Sequence, residues 1–347
     1  MAPLADTLRD LLAADGDAVT LVLTGAMGQA HPIGKRDARS YIDAQRPVLL
    51  VWLGGTLDLG TLQAAADAGL PVVMVNMDDS ALSPIMGFWS RGRARAILAR
   101  TRYMLTVNEH AAAAFRAAGV PQARLRAGVR LEEPVSVLPY DEDDRREISD
   151  ALNNRPVWLA TKVTMDMVDS LIAAQRHATR RAHRLLLVVE AAQGLDGQML
   201  VNAFNDQRLL TDRSSRTRIP QEANQVHVAD SDGDLGLWLR LASVTFAGGT
   251  FSKVKAQDPF EIATLGSGLV HGPVTNPYGL RYARLDAAGA ARPIADWTVL
   301  GRTVEDLLAP DRVAKLVTAG WDVASQGAEA AEIVVSQIRD AVDGIVA

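Results

Sequence analysis

The sequence predicts an α/β protein of two doubly wound halves, on three observations. Short β-branched apolar runs alternate with stretches of helical periodicity. The alternation runs twice, and an acidic, proline-bearing stretch separates the two runs. The length of 347 residues gives two domains as a soft prior at roughly 150 residues each.

In the first half, Leu4, Leu8, Leu11 and Leu12 stand near helical spacing, so 4–13 is expected as a helix. The run 19–24 reads as a buried strand, and 47–53, 71–76, 103–107 and 124–129 as further strands. The Ala-rich stretch 62–68 reads as a helix ended by Gly69, 91–100 as a second, and 111–118 as a third closed by Gly119. Pro134, Pro139 and the run Asp141-Glu-Asp-Asp144 then suggest a linker. In the second half, strands are expected over 157–160, 185–189, 225–229, 244–246 and 268–271. Helices are expected over 165–177, 235–242, 260–265, 278–288, 304–308, 311–324 and 328–346. The expected domains are 1–135, a linker 136–155, 156–327 and a C-terminal helix 328–347. In such folds ligands sit at the carboxyl ends of the strands, in the cleft between halves.

Composition removes several function classes. Apolar residues make up 48% and charged residues 22%, as in an ordinary globular protein. The net charge of −5 argues against a dedicated nucleic-acid binder, which needs a basic face. The chain has no cysteine, which rules out disulfides, thiol catalysis and zinc–thiolate sites. The six histidines show no metal-ligand spacing, so neither a metal nor another cofactor is expected. No apolar run reaches the ~18 residues of a membrane span, and the first residues do not read as a signal peptide. A cytoplasmic location follows as the expectation, with at most peripheral contact with the inner membrane.

Several short constellations stand out. Gly248-Gly249-Thr250, followed by Phe251, comes after a strand; glycines let a phosphate approach backbone N–H groups, although a plain tight turn explains them too. Asp258-Pro-Phe-Glu261 forms an approximate capping box, so capping alone accounts for Asp258 and Glu261. Gly233 and Asp234 open a helix, where the macrodipole favours an acid. Phe88, Trp89, Arg91, Arg95 and Arg102 make a basic, aromatic stretch. Its arginines fall on one helical face by i, i+4, i+11, as an anionic lipid surface would require, or simply as a solvated helix face. His271 and the tryptophans Trp52, Trp158 and Trp238 read as structural.

These pieces form a recognisable series. It comprises Arg155-Pro-Val-Trp-Leu-Ala-Thr161, Asp232-Gly-Asp-Leu-Gly-Leu-Trp-Leu-Arg-Leu-Ala242, Val244-Thr-Phe-Ala-Gly-Gly-Thr-Phe251, Asp258-Pro-Phe-Glu-Ile-Ala-Thr-Leu-Gly266 and His271-Gly-Pro-Val-Thr-Asn-Pro-Tyr278. With Gly69-Leu-Pro-Val-Val-Met-Val-Asn-Met-Asp-Asp-Ser80 in the first half, it resembles the Kdo (3-deoxy-D-manno-octulosonic acid) transferase family in order and spacing. The resemblance implies a GT-B fold, two Rossmann-like doubly wound domains facing a cleft. It also implies a CMP-sugar donor (CMP-Kdo), a lipid A precursor as acceptor, and inverting transfer without a metal. It implies nucleotide-side roles for Gly233, Asp234, Gly248, Gly249, Thr250, Phe251, Asp258 and Glu261, with Glu261 on the ribose. The basic–aromatic stretch would be the acceptor or membrane side.

The departures are equally specific. The family's Gly-Glu pair, whose glutamate is the base, would fall before Met1, which predicts a first sheet lacking its usual first strand. Its Glu-x-Glu-Leu-Trp-Pro motif would fall on Gly54-Gly-Thr-Leu-Asp-Leu59, without either glutamate or the Trp. Its Ser-Thr-His-x-Gly-Glu-Glu would fall on Ala160-Thr-Lys-Val-Thr-Met-Asp166, and its Pro-Arg-His near Glu190-Ala-Ala192, without the arginine. No base is assigned; Asp78 and Asp79, after a first-half strand, are candidates. The readings left open are a Kdo-type transferase, a transferase with an altered donor or acceptor, and a non-catalytic protein of the same fold.

Overall fold

A computed structural model describes residues 2–14, 34–87, 89–136 and 138–346. The strand expected over 19–24, and Phe88, lie outside the described residues. The chain divides into two compact units, Met1–Pro134 with Gln326–Ala347, and Val135–Ser325.

The first unit contains α1 (Ala2–Ala14), α2 (Lys35–Gln45), β1 (Leu50–Leu53), α3 (Leu59–Asp67), β2 (Val72–Met77), α4 (Arg91–Leu98), β3 (Tyr103–Thr106), α5 (Glu109–Ala117) and β4 (Leu125–Arg126). Its four strands pair in parallel in the order β1-β2-β3-β4. The period-two alternation of a strand sends Val73 and Val75 to one face, where they pack with Leu8, Leu12 and Leu105. Met74 and Met77 join Leu62 and Phe115 on the other face. The two methionines share a face although they are three apart because the ladder shifts register between them, with Asn76 in left-handed backbone (φ 58°).

The second unit contains α6 (Glu142–Leu152), β5 (Val157–Val163), α7 (Val168–Ala178), β6 (Leu186–Ala191), α8 (Gly197–Asp206), β7 (Thr211–Arg213), β8 (Val226–Ala229), α9 (Asp234–Leu241) and β9 (Val244–Ala247). It continues with α10 (Pro259–Thr264), β10 (Gly268–His271), α11 (Gly279–Ala287), β11 (Ala291–Pro293) and α12 (Leu300–Leu307). The final helix α13 (Pro310–Val346) begins here and ends in the first unit. Seven parallel strands stand in the order β11-β10-β9-β5-β6-β8-β7. The central strands are apolar on both faces, as a sheet covered on both sides requires. The chain builds outward from β5 in one direction and then returns to place β9 on its other side. The point where winding reverses therefore lies between β5 and β9.

Several expected boundaries change. The acidic run read as linker is the first turn of α6: Asp141 accepts N–H bonds from Asp143 (2.8 Å) and Asp144 (3.0 Å). Ile148 and Leu152 on the same helix are buried in the core. Acids at a helix N-terminus meet its positive end, so the charge marks a helix start rather than a tether. The two helices expected over 311–324 and 328–346 are one. Helices α2 and α8 and the short edge strands β7 and β11 were not expected. Among the described residues, no helix is long and apolar enough to cross a membrane.

Candidate functional site

The carboxyl ends of β5, β6 and β9 bring Lys162, Glu190 and the Gly248–Gly249 turn together. Strand β5 departs from its ladder with β6 between Ala160 and Val163, and Lys162 takes left-handed backbone (φ 47°) there. A side-chain residue in that conformation is held by its surroundings. Here the holder is Glu190 at the end of β6, whose Oε2 accepts the Lys162 backbone N–H at 2.5 Å. The Lys162 ammonium donates to the carbonyls of Ala256 (3.2 Å) and Lys255 (3.5 Å).

Gly248 and Gly249 follow β9 directly. The Gly248 N–H donates to Thr161 Oγ1 (3.0 Å), and its carbonyl accepts from the Gln257 N–H (3.0 Å). A Cβ on Gly248 would stand 1.5 Å from the Thr161 carbonyl oxygen, and one on Gly249 would stand 2.7 Å from the Lys255 carbonyl oxygen. Both glycines are therefore required by this chain's own backbone. Gln257 then reaches along α10 to Glu261, to which its side chain donates. This chain of bonds places the glycine turn and Glu261 in one group.

The electrostatics follow from burial. Burial pushes the Lys162 ammonium below its ordinary range, while Glu190 and Glu261 pull it back. Burial raises the Glu190 carboxyl, and Lys162 opposes this. Burial also raises Glu261, with the neighbouring Asp258 charge adding to it. Burial raises Asp258, against the pull of Arg281. Arg281 pairs with Asp258 directly, which leaves Lys162 as the cation shared by Glu190 and Glu261. Such a group can accept paired hydroxyls on its carboxylates and set an ammonium against an anionic phosphate.

The other expected residues have local roles. Asp258 caps α10, accepting the Phe260 N–H at 3.0 Å. Thr250 Oγ1 donates to the Ala247 carbonyl (2.7 Å) and accepts the Gly272 N–H (2.8 Å), which ties β9 to β10. Phe251 stacks on Phe246 and packs at a tilt on Trp297. Gly233, in left-handed backbone, precedes α9, and Asp234 accepts from the Ser231 N–H (2.9 Å) and Arg218 (3.4 Å). Arg218 also pairs with Asp144 on α6, so Asp234 belongs to a bracket between helices. Trp52, Trp158, Trp238 and His271 are buried.

In the first unit, Trp89 is 91% exposed, and Arg91 and Arg95 lie on an exposed part of α4. Arg102 does not share that face: α4 ends at Leu98, and Arg102 enters β3 with its guanidinium 5.5 Å over the Tyr103 ring. Asp78 caps a short 3-10 turn, and the Ser80 N–H holds its carboxyl below the ordinary range. Asp79 lies 3.5 Å from His110. Asp58, the one acid left in the Gly54–Leu59 stretch, caps α3: its Oδ2 accepts from Thr61 N (2.7 Å), Thr61 Oγ1 (2.6 Å) and Gly34 N (3.3 Å).

Sequence reasoning missed Lys162, Glu190, Gln257 and Arg281 as site residues. Lys162 and Glu190 entered only as departures from a motif. The available signal was their position, each at the carboxyl end of a buried apolar run.

No family model matches the chain. A 3-deoxy-D-manno-octulosonic acid transferase of Haemophilus influenzae is 23% identical over 172 residues, 49% of this chain and 40% of that protein, so the chain spans less than half of its length. Among solved structures, MurG of Acinetobacter baumannii matches over 98% of this chain and 94% of its own, at 12% identity and a TM-score of 0.50. The C-terminal CMP-Kdo binding domain of WaaA from the same organism matches over 53% of this chain and 98% of its own, at 20% identity and a TM-score of 0.47. The fold is of the GT-B class, as expected from the sequence, with a low-identity sequence similarity to a Kdo transferase.

Proposed function

We propose that the protein is a glycosyltransferase of the Kdo transferase type, moving Kdo from CMP-Kdo to a lipid A precursor. In this reading the second unit binds the donor nucleotide. The observation that carries it is the group of Lys162, Glu190 and Glu261 around the glycine turn, where the winding of the parallel sheet reverses. The ordered series of motifs and the sequence similarity favour a CMP-sugar over other donors. Glu261 would accept the ribose hydroxyls and Lys162 would face the phosphate. CMP is a stabilised leaving group, so the protein's share of the work is positioning and charge stabilisation. Trp89, Arg91 and Arg95 would form the acceptor side, in peripheral contact with an anionic membrane surface of the cytoplasm.

A second reading, a non-catalytic nucleotide-binding protein of the same fold, is favoured by one observation. Asp58, where the family carries its acidic motif, is consumed in capping a helix. Two experiments decide. Calorimetry should show binding of CMP and not of UDP; binding of neither removes the donor site. Incubation with CMP-Kdo and a lipid A precursor should add a sugar detectable by mass spectrometry. CMP binding without that product establishes the second reading.

A further inference from the structure

The segment 255–257, between the glycine turn and α10, is pinned along its backbone. The Lys162 ammonium donates to the carbonyls of Lys255 (3.5 Å) and Ala256 (3.2 Å). The Ala256 N–H donates to the Asn276 carbonyl (3.1 Å), and the Gln257 N–H to the Gly248 carbonyl (3.0 Å). The Tyr282 hydroxyl donates to the Gln257 carbonyl (2.8 Å). On this fixed support the side chain of Gln257 is not fully satisfied. Its Nε2 donates to Glu261 Oε2, while its Oε1 is buried and has no hydrogen-bond partner. The amide cannot be turned over, because that would set Oε1 against the carboxylate. An unpaired buried acceptor is costly, and this one adjoins the carboxylate that the donor reading gives to a hydroxyl.

Glu261 and Gln257 Oε1 are thus two neighbouring acceptors, and Glu261 is only partly buried, within reach of a ligand. Their complement is a ligand with two neighbouring donors. Lys162 and Arg281 already supply positive charge beside Glu261, so the donors that fit are neutral. Hydroxyls fit because each both donates and accepts. One hydroxyl can insert between the two side chains, donating to the Glu261 carboxylate and accepting from Gln257 Nε2. A hydroxyl on the adjacent carbon can then donate to Oε1. That arrangement pairs the orphan acceptor without leaving Nε2 or the carboxylate unpaired. The Gln257 backbone stays pinned, so the exchange needs only rotation of its side chain.

We propose that Gln257 is a specificity residue, forming with Glu261 a two-point clamp for the vicinal hydroxyls of a ribose. The site thereby selects ribonucleotides over deoxyribonucleotides, since a sugar lacking either hydroxyl leaves one of the two side chains without its partner. The inference deepens the donor reading and rests on it for the identity of the diol.

The test measures binding of CMP, 2′-deoxy-CMP and 3′-deoxy-CMP to the full chain by calorimetry. The wild type should bind each deoxynucleotide about tenfold or more weakly than CMP, the worth of a hydrogen bond to a buried group. Gln257→Met keeps the length of the side chain and removes the orphan acceptor. In that variant the penalty for one of the two deoxynucleotides should vanish, while the other persists through Glu261. A role of Gln257 in structure alone would weaken all three nucleotides alike and leave both ratios unchanged, which overturns the proposal. So does a wild type that binds either deoxynucleotide as tightly as CMP. The Gln257 side-chain NH2 resonances give a second readout that needs no variant. They should shift when CMP binds, and resonances unmoved by saturating CMP overturn the proposal. CMP binding without the two penalties leaves the donor reading standing and removes the role of Gln257, whereas binding of neither CMP nor UDP removes both.

Discussion

Gly248→Ala tests how tightly the strand ends that carry the site are coupled. The added methyl would land 1.5 Å from the Thr161 carbonyl oxygen and 3.1 Å from Lys162 Cβ, in a ladder where β5 and β9 are already paired. The obstacle is backbone, so no side chain can swing aside. The end of β9 must retreat by about 2 Å to reach an ordinary contact of 3.4 Å. That retreat gives up the bonds from Gly248 N to Thr161 Oγ1 and from Gln257 N to Gly248 O, at about 1 kcal/mol each. Overpacking adds about 1–3 kcal/mol, for a loss of about 3–5 kcal/mol. The control is Gly266→Ala, which unlike Gly248 is in a left-handed position (φ 85°) and has no atom within 4 Å of the added methyl. Only backbone strain applies there, about 1–2 kcal/mol. Urea denaturation of both variants, with CMP affinity measured alongside, makes the comparison. Equal destabilisation of the two, or a Gly248→Ala protein with wild-type stability and CMP affinity, would refute the close coupling of β5, β9 and the glycine turn.

Three further outcomes are expected. Lys162→Met should weaken CMP binding by about tenfold to a hundredfold, the worth of a charge-assisted bond. Thermal stability should change little, since the ammonium is held against its burial; unchanged affinity in calorimetry would take Lys162 out of the site. His227 is fully buried beside Trp238, and burial lowers it to about 4. Because its folded pKa lies below the unfolded value of about 6.5, the unfolded chain binds the proton first. The related stability is complete above about pH 6.5 and is lost as pH falls to about 4, some 3 kcal/mol in all. Acid titration of His227→Phe should lack most of that loss, and a superimposable curve would contradict it. Asp58→Ala should cost about 1–2 kcal/mol through the lost α3 cap and leave CMP affinity unchanged, which denaturation and calorimetry can check together.

The layered parallel fold is legible because its signals are local. Runs such as 157–160 and 268–271 are short and flanked by Pro156 and Gly272, which favours buried strands, and Gly69 and Gly119 end their helices in left-handed backbone (φ 67° and 111°). What failed depended on context. The Asp141–Asp144 run is as acidic as a linker, and only the apolar pair Ile148 and Leu152 that follows identifies a docked helix. The site divides the same way. Asp258 and Glu261 could be found because a cap has a fixed spacing. Lys162, Glu190 and Arg281 lie far apart in sequence and meet only through the strand order. Arg102 shows the converse error: helical arithmetic carried it past Leu98, where the helix stops.

The two units differ in what their acids are free to do. A general base for an acceptor hydroxyl works best when its pKa approaches the working pH. In the first unit, Asp58 and Asp78 accept N–H bonds in caps and are held below the ordinary range, which suits them to structure rather than proton transfer. In the second unit, burial raises Glu190, Asp258 and Glu261, but each is engaged: Glu190 by the Lys162 amide, Asp258 by Arg281 and Glu261 by Gln257. Of these three, the Asp258–Arg281 pair and the α10 cap would both have to break to release Asp258. Glu261 accepts its hydrogen bond from the neutral Gln257 amide, beside the Lys162 charge, so a bound ligand can take over that bond at little cost. The same exchange that would let Glu261 accept a ribose hydroxyl also removes it as a base. Of these five acids, none stands ready to remove a proton, whereas the proposed donor site would have Glu261 to offer. That asymmetry makes the transfer assay, rather than the binding assay, the measurement that separates a working transferase from a nucleotide-binding relative.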